Sequence, residues 1–300
     1  KLYGEGKVVL IKMNPINDYL GPIFEKVFSP FIENEFIQFA YGGGDVGAYL
    51  TRHELVDSIH ITGSARTHDV IVFGPGEEGQ KRKRENQPIN TKPISSELGG
   101  VSPTIVVPGP WSKGDFKFQA EHIATQKLQN SGHNCIATQV LIMPEDWTGT
   151  ERLLQEVENE IANAEKRPAY YPGSEDRQNA AREHANAKFL DSGVDRTIIY
   201  DVDSQIDEPC FSDEYFSPVL ATVSIPGDNP SAFIQAAVQF VNEKLDGTLG
   251  ANIIIDPKTA RENKADLDQA IADLKYGSIG VNTWCALAFL AAGGAWGAYP

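Results

Sequence analysis

Short apolar runs alternate with segments of helical period along this sequence. KVVLIK (7–12), EFIQFAY (35–41) and SIHIT (58–62) read as strands, because β-branched and aromatic residues cluster there between polar flanks. The stretch around Pro22 to Asn34 and the segment DVGAYLTRH (45–53) lie between them with helical spacing, which gives a βαβαβ rhythm. The rhythm resumes at TIVVP (104–108), the helix-like DFKFQAEHIATQKLQ (115–129) and VLIMP (140–144). Leu153, Leu154, Val157 and Ile161 then fall on one helical face, as do Phe233, Ala236, Ala237, Phe240 and Val241. ANIIID (251–256), a polar helix and SIGVN (278–282) follow. Strands alternating with helices imply an α/β fold with parallel, doubly wound sheets covered on both faces. Residues 74–93, GPGEEGQKRKRENQPINTKP, carry Gly, Pro and charge without hydrophobic period and are expected to form an exposed loop. The basic run from Lys81 to Arg84 is flanked by Glu77, Glu78 and Glu85, so it reads as a solvated surface turn and is assigned no function.

Composition narrows the classes of partner. The 300 residues carry Lys+Arg 26 against Asp+Glu 41, a formal net charge of −15, so the surface field repels phosphate backbones and anionic lipid. Nucleic acid and membrane are therefore not expected as partners, and no apolar run approaches the ~20 residues that span a bilayer. Three cysteines, Cys135, Cys210 and Cys285, form no CxxC spacing. They support neither a disulfide framework nor a zinc site, and a reducing, cytoplasmic compartment fits them. His53-Glu54 begins like HExxH, but Asp57 stands where the second histidine belongs, so no metal site is expected.

Several short motifs carry candidate chemistry. Gly42, Gly44 and Gly47 satisfy GxGxxG between a strand and a helix, a pattern that suits a dinucleotide pyrophosphate and equally a plain glycine turn. Thr62-Gly63-Ser64 sits at a second strand-to-helix junction, where glycine lets backbone approach a ligand and serine caps or donates to phosphate. Cys135 ends the polar stretch Asn130-Ser131-Gly132-His133-Asn134, in a loop where backbone dipoles could activate a thiol and where a small buried space-filler is the alternative. Glu97 precedes Gly99 and Gly100 just before an apolar strand, and taken alone reads as a carboxylate at a turn.

The order of these pieces, TGS, then ELGG, then Gly-x-x-Cys, then Glu214-Tyr215-Phe216-Ser217-Pro218, then Gly280-Val281-Asn282, resembles the NAD(P)-dependent aldehyde dehydrogenase superfamily over nearly the whole chain. The resemblance implies Cys135 as nucleophile and Glu97 as general base. It implies Lys12 on the adenosine ribose of NAD or NADP, Thr62, Gly63 and Ser64 at the pyrophosphate, Glu214 on the nicotinamide ribose and Phe216 beside the nicotinamide ring. Residues 1–98 would then be the C-terminal part of a nucleotide-binding domain, and residues 99–300 the cysteine-bearing catalytic domain. Oxidation of a small-molecule aldehyde through a thioester on Cys135 is the expected reaction. A CoA-acylating reductase and a folded inactive fragment are the alternatives. Four departures stand out: Val101 where the family carries Lys, His133 where it carries Gln, His68 in place of a glycine, and the length of residues 74–93. The family's oxyanion-hole asparagine belongs upstream of Lys12 and its pairing strand beyond the last residues, so the resemblance implies a chain cut short at both ends, with homo-oligomers expected for a full-length form.

Overall fold

The computed structural model describes every residue except Ser192, Ala292 and Pro300. The chain divides into two compact units, Lys1–Ser96 and Glu97–Pro300. In the first, β1 (Val9–Lys12) and β2 (Ile37–Ala40) pair in parallel with Val9 opposite Ile37. The crossover between them contains the helices Gly21–Val27 and Ser29–Glu33, each started by a proline near its first position, where the missing N–H costs nothing. Of the glycines at 42, 44 and 47, the first lies between β2 and the helix Gly44–Arg52, the second begins that helix and the third lies within it. β3 (Ile59–Gly63) pairs with β4 (Ile94–Leu98).

The segment 74–93 departs from the expected loop, because residues Gly76–Arg84 form a helix. Charge replaces hydrophobic period as the organiser here. Glu77 and Glu78 occupy the first turn and Lys81 to Arg84 the last, which complements the helix dipole, and Glu78 pairs with Arg82 at 3.3 Å. Arg82 also donates to the carbonyl of Phe73 at 3.3 Å, closing the helix back onto its predecessor.

The second unit is built on a seven-stranded sheet. β5 (Ser102–Val106), β6 (Thr138–Pro144), β7 (Ala187–Asp191), β8 (Asp195–Ile199), β9 (Val219–Ile225), β10 (Gly250–Ile254) and β11 (Ser278–Val281) lie in the order β11-β10-β5-β6-β9-β8-β7. All neighbours are parallel except β7 and β8, an antiparallel edge that the alternating sequence pattern does not announce. Successive residues of the central strands feed opposite faces. Val140 and Ile142 join one core with Phe233, Ala237 and Val241 of the helix Pro230–Lys244. Leu141 and Met143 join another with Ile123 of the helix Lys113–Leu128 and Leu153, Val157 and Ile161 of the helix Thr150–Asn163. Helices on both faces make this the doubly wound α/β arrangement.

One buried polar seam fixes the helix that leads into the cysteine turn. Thr104 and Thr138 both donate to Gln126 Oε1, at 2.9 and 2.6 Å, so the end of Lys113–Leu128 is tied to β5 and β6. Such a seam specifies one register where apolar contacts alone would tolerate sliding.

Candidate active site

The cysteine turn follows that helix directly. Residues Gln129–Gly132 make a tight turn in which Asn130 (φ 53°) and Ser131 (φ 57°) take left-handed backbone and Gly132 (φ 75°) completes it. Asparagine tolerates this region because its side chain can bond locally, and Asn130 Nδ2 donates to the carbonyl of His133 at 3.1 Å. Ser131 donates its hydroxyl to the carbonyl of Arg167 at 3.0 Å. Gly132 has no room for a side chain: a Cβ there would stand 2.5 Å from the carbonyl oxygen of Ser217. The turn of Cys135 is therefore seated on the backbone of the loop that carries Glu214 and Phe216.

Cys135 is half-buried and packs against a small cluster of Ile136, Leu249 and Cys285. Trp296 packs on the same cluster, and its indole N–H donates to Glu97 Oε1 at 2.8 Å. The structure thus brings Glu97 and Cys135 to one place although 38 residues separate them in the chain. Burial, then the charge of Glu97, then that of Glu214, push the Cys135 thiol up to about 11, and the residue's own backbone N–H opposes them only in part. The resting sulfur is a protonated thiol, against the expectation that backbone dipoles activate it. Apart from its own sulfur, that N–H meets no acceptor among the described residues.

Glu214 is half-buried, with its carboxylate against Gly99, where a Cβ would collide with both oxygens. Desolvation raises it to about 7, while Arg177 and Lys127 pull the other way. No side chain among the described residues hydrogen-bonds to it. Lys127, 2% exposed, donates to the carbonyl of Val219 at 2.8 Å and is lowered to about 7 by burial. Arg177 donates through Nε to the carbonyl of Tyr215. Phe216 adopts φ 44°, in the left-handed region where a bulky residue is strained. Asn282 is structural: it bonds both the N–H and the carbonyl of Ile255 at 2.8 Å, stapling the end of β11 to β10.

Of the residues singled out from sequence, Cys135, Glu97, Glu214 and Phe216 gather in the second unit. Lys12, Thr62, Gly63 and Ser64 belong to the first. Lys12 ends β1, and Thr62 and Gly63 end β3. Ser64 caps the helix Ala65–Phe73, its hydroxyl accepting from Thr67 N–H at 3.2 Å. Lys127, Arg177 and Trp296 were not singled out: lysine and arginine are usually solvated, and nothing local ties a tryptophan to an acid 199 residues away. Among the described residues no cluster of His, Cys, Asp or Glu could hold a metal, and no helix is long and apolar enough to cross a membrane.

Comparison with known proteins gives this arrangement its context. The model of the aldehyde dehydrogenase family matches residues 8–167, more than half of the sequence. The chain belongs to the aldehyde dehydrogenase family. Aldehyde dehydrogenase family 3 member B1 of Homo sapiens is 22% identical over 260 residues, covering 80% of this chain and 48% of its own. N-succinylglutamate 5-semialdehyde dehydrogenase 1 of Caulobacter vibrioides is 29% identical over 108 residues, covering 36% of this chain and 20% of its own. The NADP-dependent glyceraldehyde-3-phosphate dehydrogenase of Bacillus halodurans, solved with NADP, superposes with a TM-score of 0.70 at 20% identity, covering 93% of this chain and 56% of that one. The NAD-dependent aldehyde dehydrogenase of Sinorhizobium meliloti gives 0.67 at 19%, covering 94% and 54%. The aldehyde dehydrogenase fold is thus shared along almost the whole chain, which spans about half the length of these solved relatives or less of the curated ones.

Proposed function

We propose that this chain carries the thiol and base of an NAD(P)+-dependent aldehyde oxidation, in which Cys135 is the nucleophile and Glu97 the base. The observation that carries the reading is the meeting of Cys135 with Trp296, the donor to Glu97, on one small apolar cluster. A thiol held near pKa 11 attacks a carbonyl through its small thiolate fraction, its proton passing to solvent, so the attack does not depend on the carboxylate. Glu97 is the carboxylate whose charge acts most strongly on that sulfur. The Cys135 backbone N–H is the donor available to the oxyanion that develops on the attacked carbonyl.

Glu214 fits a nicotinamide cofactor's ribose. A carboxylate accepts only, and among the described residues no side chain donates to either oxygen of this half-buried one, as a pair of ribose hydroxyls requires. Lys12, Thr62, Gly63 and Ser64 are the corresponding candidates for the adenosine ribose and the pyrophosphate. A nicotinamide cofactor held by these residues would supply the hydride acceptor for the tetrahedral carbon formed on Cys135. Cys135 then holds the acyl group as a thioester. Glu97 takes a proton from water, whose oxygen displaces the sulfur to release the carboxylic acid, and passes that proton to the departing Cys135 sulfur.

Aldehyde-dependent reduction of NAD+ and of NADP+ by the full chain, run beside Cys135→Ser and Glu97→Gln, tests the reading. Cys135→Ser is expected to abolish turnover and retain cofactor binding. Undiminished turnover in that variant would overturn the assignment.

A further inference from the structure

We propose that His133 is a positioning residue that works as its neutral Nδ1–H tautomer, latching the turn of Cys135 to the loop that bears Glu214 and Phe216. The inference rests on the reading of the site given above and concerns a residue for which the family resemblance supplies a different side chain.

Three observations converge on it. His133 Nδ1 lies 2.8 Å from the carbonyl oxygen of Phe216. A carbonyl only accepts, so the proton is on Nδ1. The other nitrogen, Nε2, receives the N–H of Tyr171 at 3.5 Å, which requires a lone pair there. The ring is 5% exposed and lies among the rings of Tyr170, Tyr171 and Phe216, with centroids 4.9, 5.7 and 5.6 Å away. Independently, Gly132 seats the same turn on Ser217, so the latch closes over a contact that already excludes any side chain.

The latch has a mechanical purpose. Phe216 is held at φ 44°, a conformation that a phenylalanine does not keep unaided. Arg177 grips the carbonyl before it and His133 grips its own. Two consecutive carbonyls are thereby fixed, one by the half-buried Arg177 and one by the buried His133, which lies two residues from the nucleophile.

A protonated imidazole cannot make this set of bonds, because a second N–H at Nε2 would oppose the N–H of Tyr171. Its charged neighbours agree. Burial lowers the His133 pKa first, the Phe216 carbonyl offsets part of that, and Arg177 on the helix Ser174–Arg182 and Lys127 on the helix Lys113–Leu128 lower it further. Tyr170 and Tyr171 face the ring from the intervening segment, and the carboxylate of Glu214 on the opposite loop is engaged electrostatically by the same Arg177 and Lys127. Glutamine, which donates and accepts without titrating, is the side chain that can replace such a latch.

The test uses the full chain labelled with nitrogen isotope in its six histidines, with the His133 signals assigned by their loss in His133→Gln. The expected spectrum shows the Nδ1–H tautomer, with protonation displaced below the ordinary histidine value. The Nε2–H tautomer, or titration at the ordinary value, would overturn the proposal. Alkylation of Cys135 by iodoacetamide, with Cys135→Ser as blank, gives a second readout. His133→Gln is expected within about twofold of the parent, and His133→Ala to change the rate by about tenfold, as for loss of a buried hydrogen bond. Should His133→Ala fail to fold, the spectrum and His133→Gln still decide. Neither measurement needs turnover, so a chain inert toward aldehydes but carrying the Nδ1–H tautomer defeats the functional reading and leaves the latch standing. In an active chain, His133→Gln should also keep at acid pH the rate that the parent loses there. An acid limb unchanged in His133→Gln would count against the latch.

Discussion

Because burial and two carboxylates all oppose ionisation of Cys135, removing one carboxylate charge should make the sulfur more reactive. Glu97→Gln is expected to lower the thiol pKa from about 11 and so raise the rate of iodoacetamide alkylation near pH 8, even as it stops catalysis. Glu214→Gln should act in the same direction and by less, since its charge is the smaller of the two influences. A thiol pKa unmoved in Glu97→Gln, measured by rate against pH, would show that the two groups do not share a site. Trp296→Phe keeps an aromatic ring on the cluster and removes the donor to Glu97. A hydrogen bond to a charged acceptor contributes roughly 1.5–3 kcal/mol, so kcat is expected to fall about ten- to a hundredfold with little change in KM. Equal kcat in Trp296→Phe would mean that the carboxylate is oriented by something else. Cys135 and Glu97 were legible as candidates only through the order of the motifs along the chain, since taken alone the one reads equally as a small space-filler and the other as a carboxylate at a turn. Trp296 and Lys127 were not, because their roles come from contacts made across the chain.

At the scale of the element, the helix Lys113–Leu128 and its following turn set the site. The helix begins with a reciprocal cap: Ser112 accepts the N–H of Asp115 at 3.3 Å and Asp115 accepts the N–H of Ser112 at 2.7 Å. Ser112→Ala should cost about 1 kcal/mol of stability, read by denaturant unfolding, without touching the chemistry. Gly132→Ala is a harsher change, because the added carbon meets Ser217 and the φ of 75° disfavours any L side chain. Its effect should concentrate on kcat, since the turn can relieve the clash only by moving Cys135 away from the Glu214 loop. The helix and the runs that became β5, β6 and β10 were readable because strands buried on both faces are continuous apolar runs and because the 3.6 period is strong. The strand β4, ISSEL, and the helix Gly76–Arg84 were not, since the first is mostly polar and the second is held by charge placement in place of an apolar stripe. The antiparallel edge of β7 and β8 escaped for a similar reason: AKFLD and DRTII are each short and mixed in character.

Across the whole molecule, two desolvated ionisable groups shape stability against pH in opposite senses. Glu214 is raised from 4.5 to about 7, so its contribution is complete below 4.5 and is lost as pH rises through about 7. Lys127 is lowered from 10.5 to about 7, so the folded state binds fewer protons than the unfolded one above 7 and stability recovers toward 10.5. Glu214→Gln should therefore flatten the fall between pH 4.5 and 7, measured as the midpoint of thermal unfolding. The α/β class and the family were legible over nearly the full length, because alternating strands and helices and the spacing of ELGG, Gly-x-x-Cys and the Glu214 loop belong to the sequence itself. The central claim of the proposed function is chemical: the acyl group resides on Cys135 until Glu97 activates water. Mass spectrometry of the Glu97→Gln chain, quenched after mixing with aldehyde and NAD(P)+, tests it most directly. The account predicts an acyl adduct that accumulates on the peptide containing Cys135 and is absent from Cys135→Ser. Aldehyde oxidation proceeding with no adduct on that peptide would contradict it.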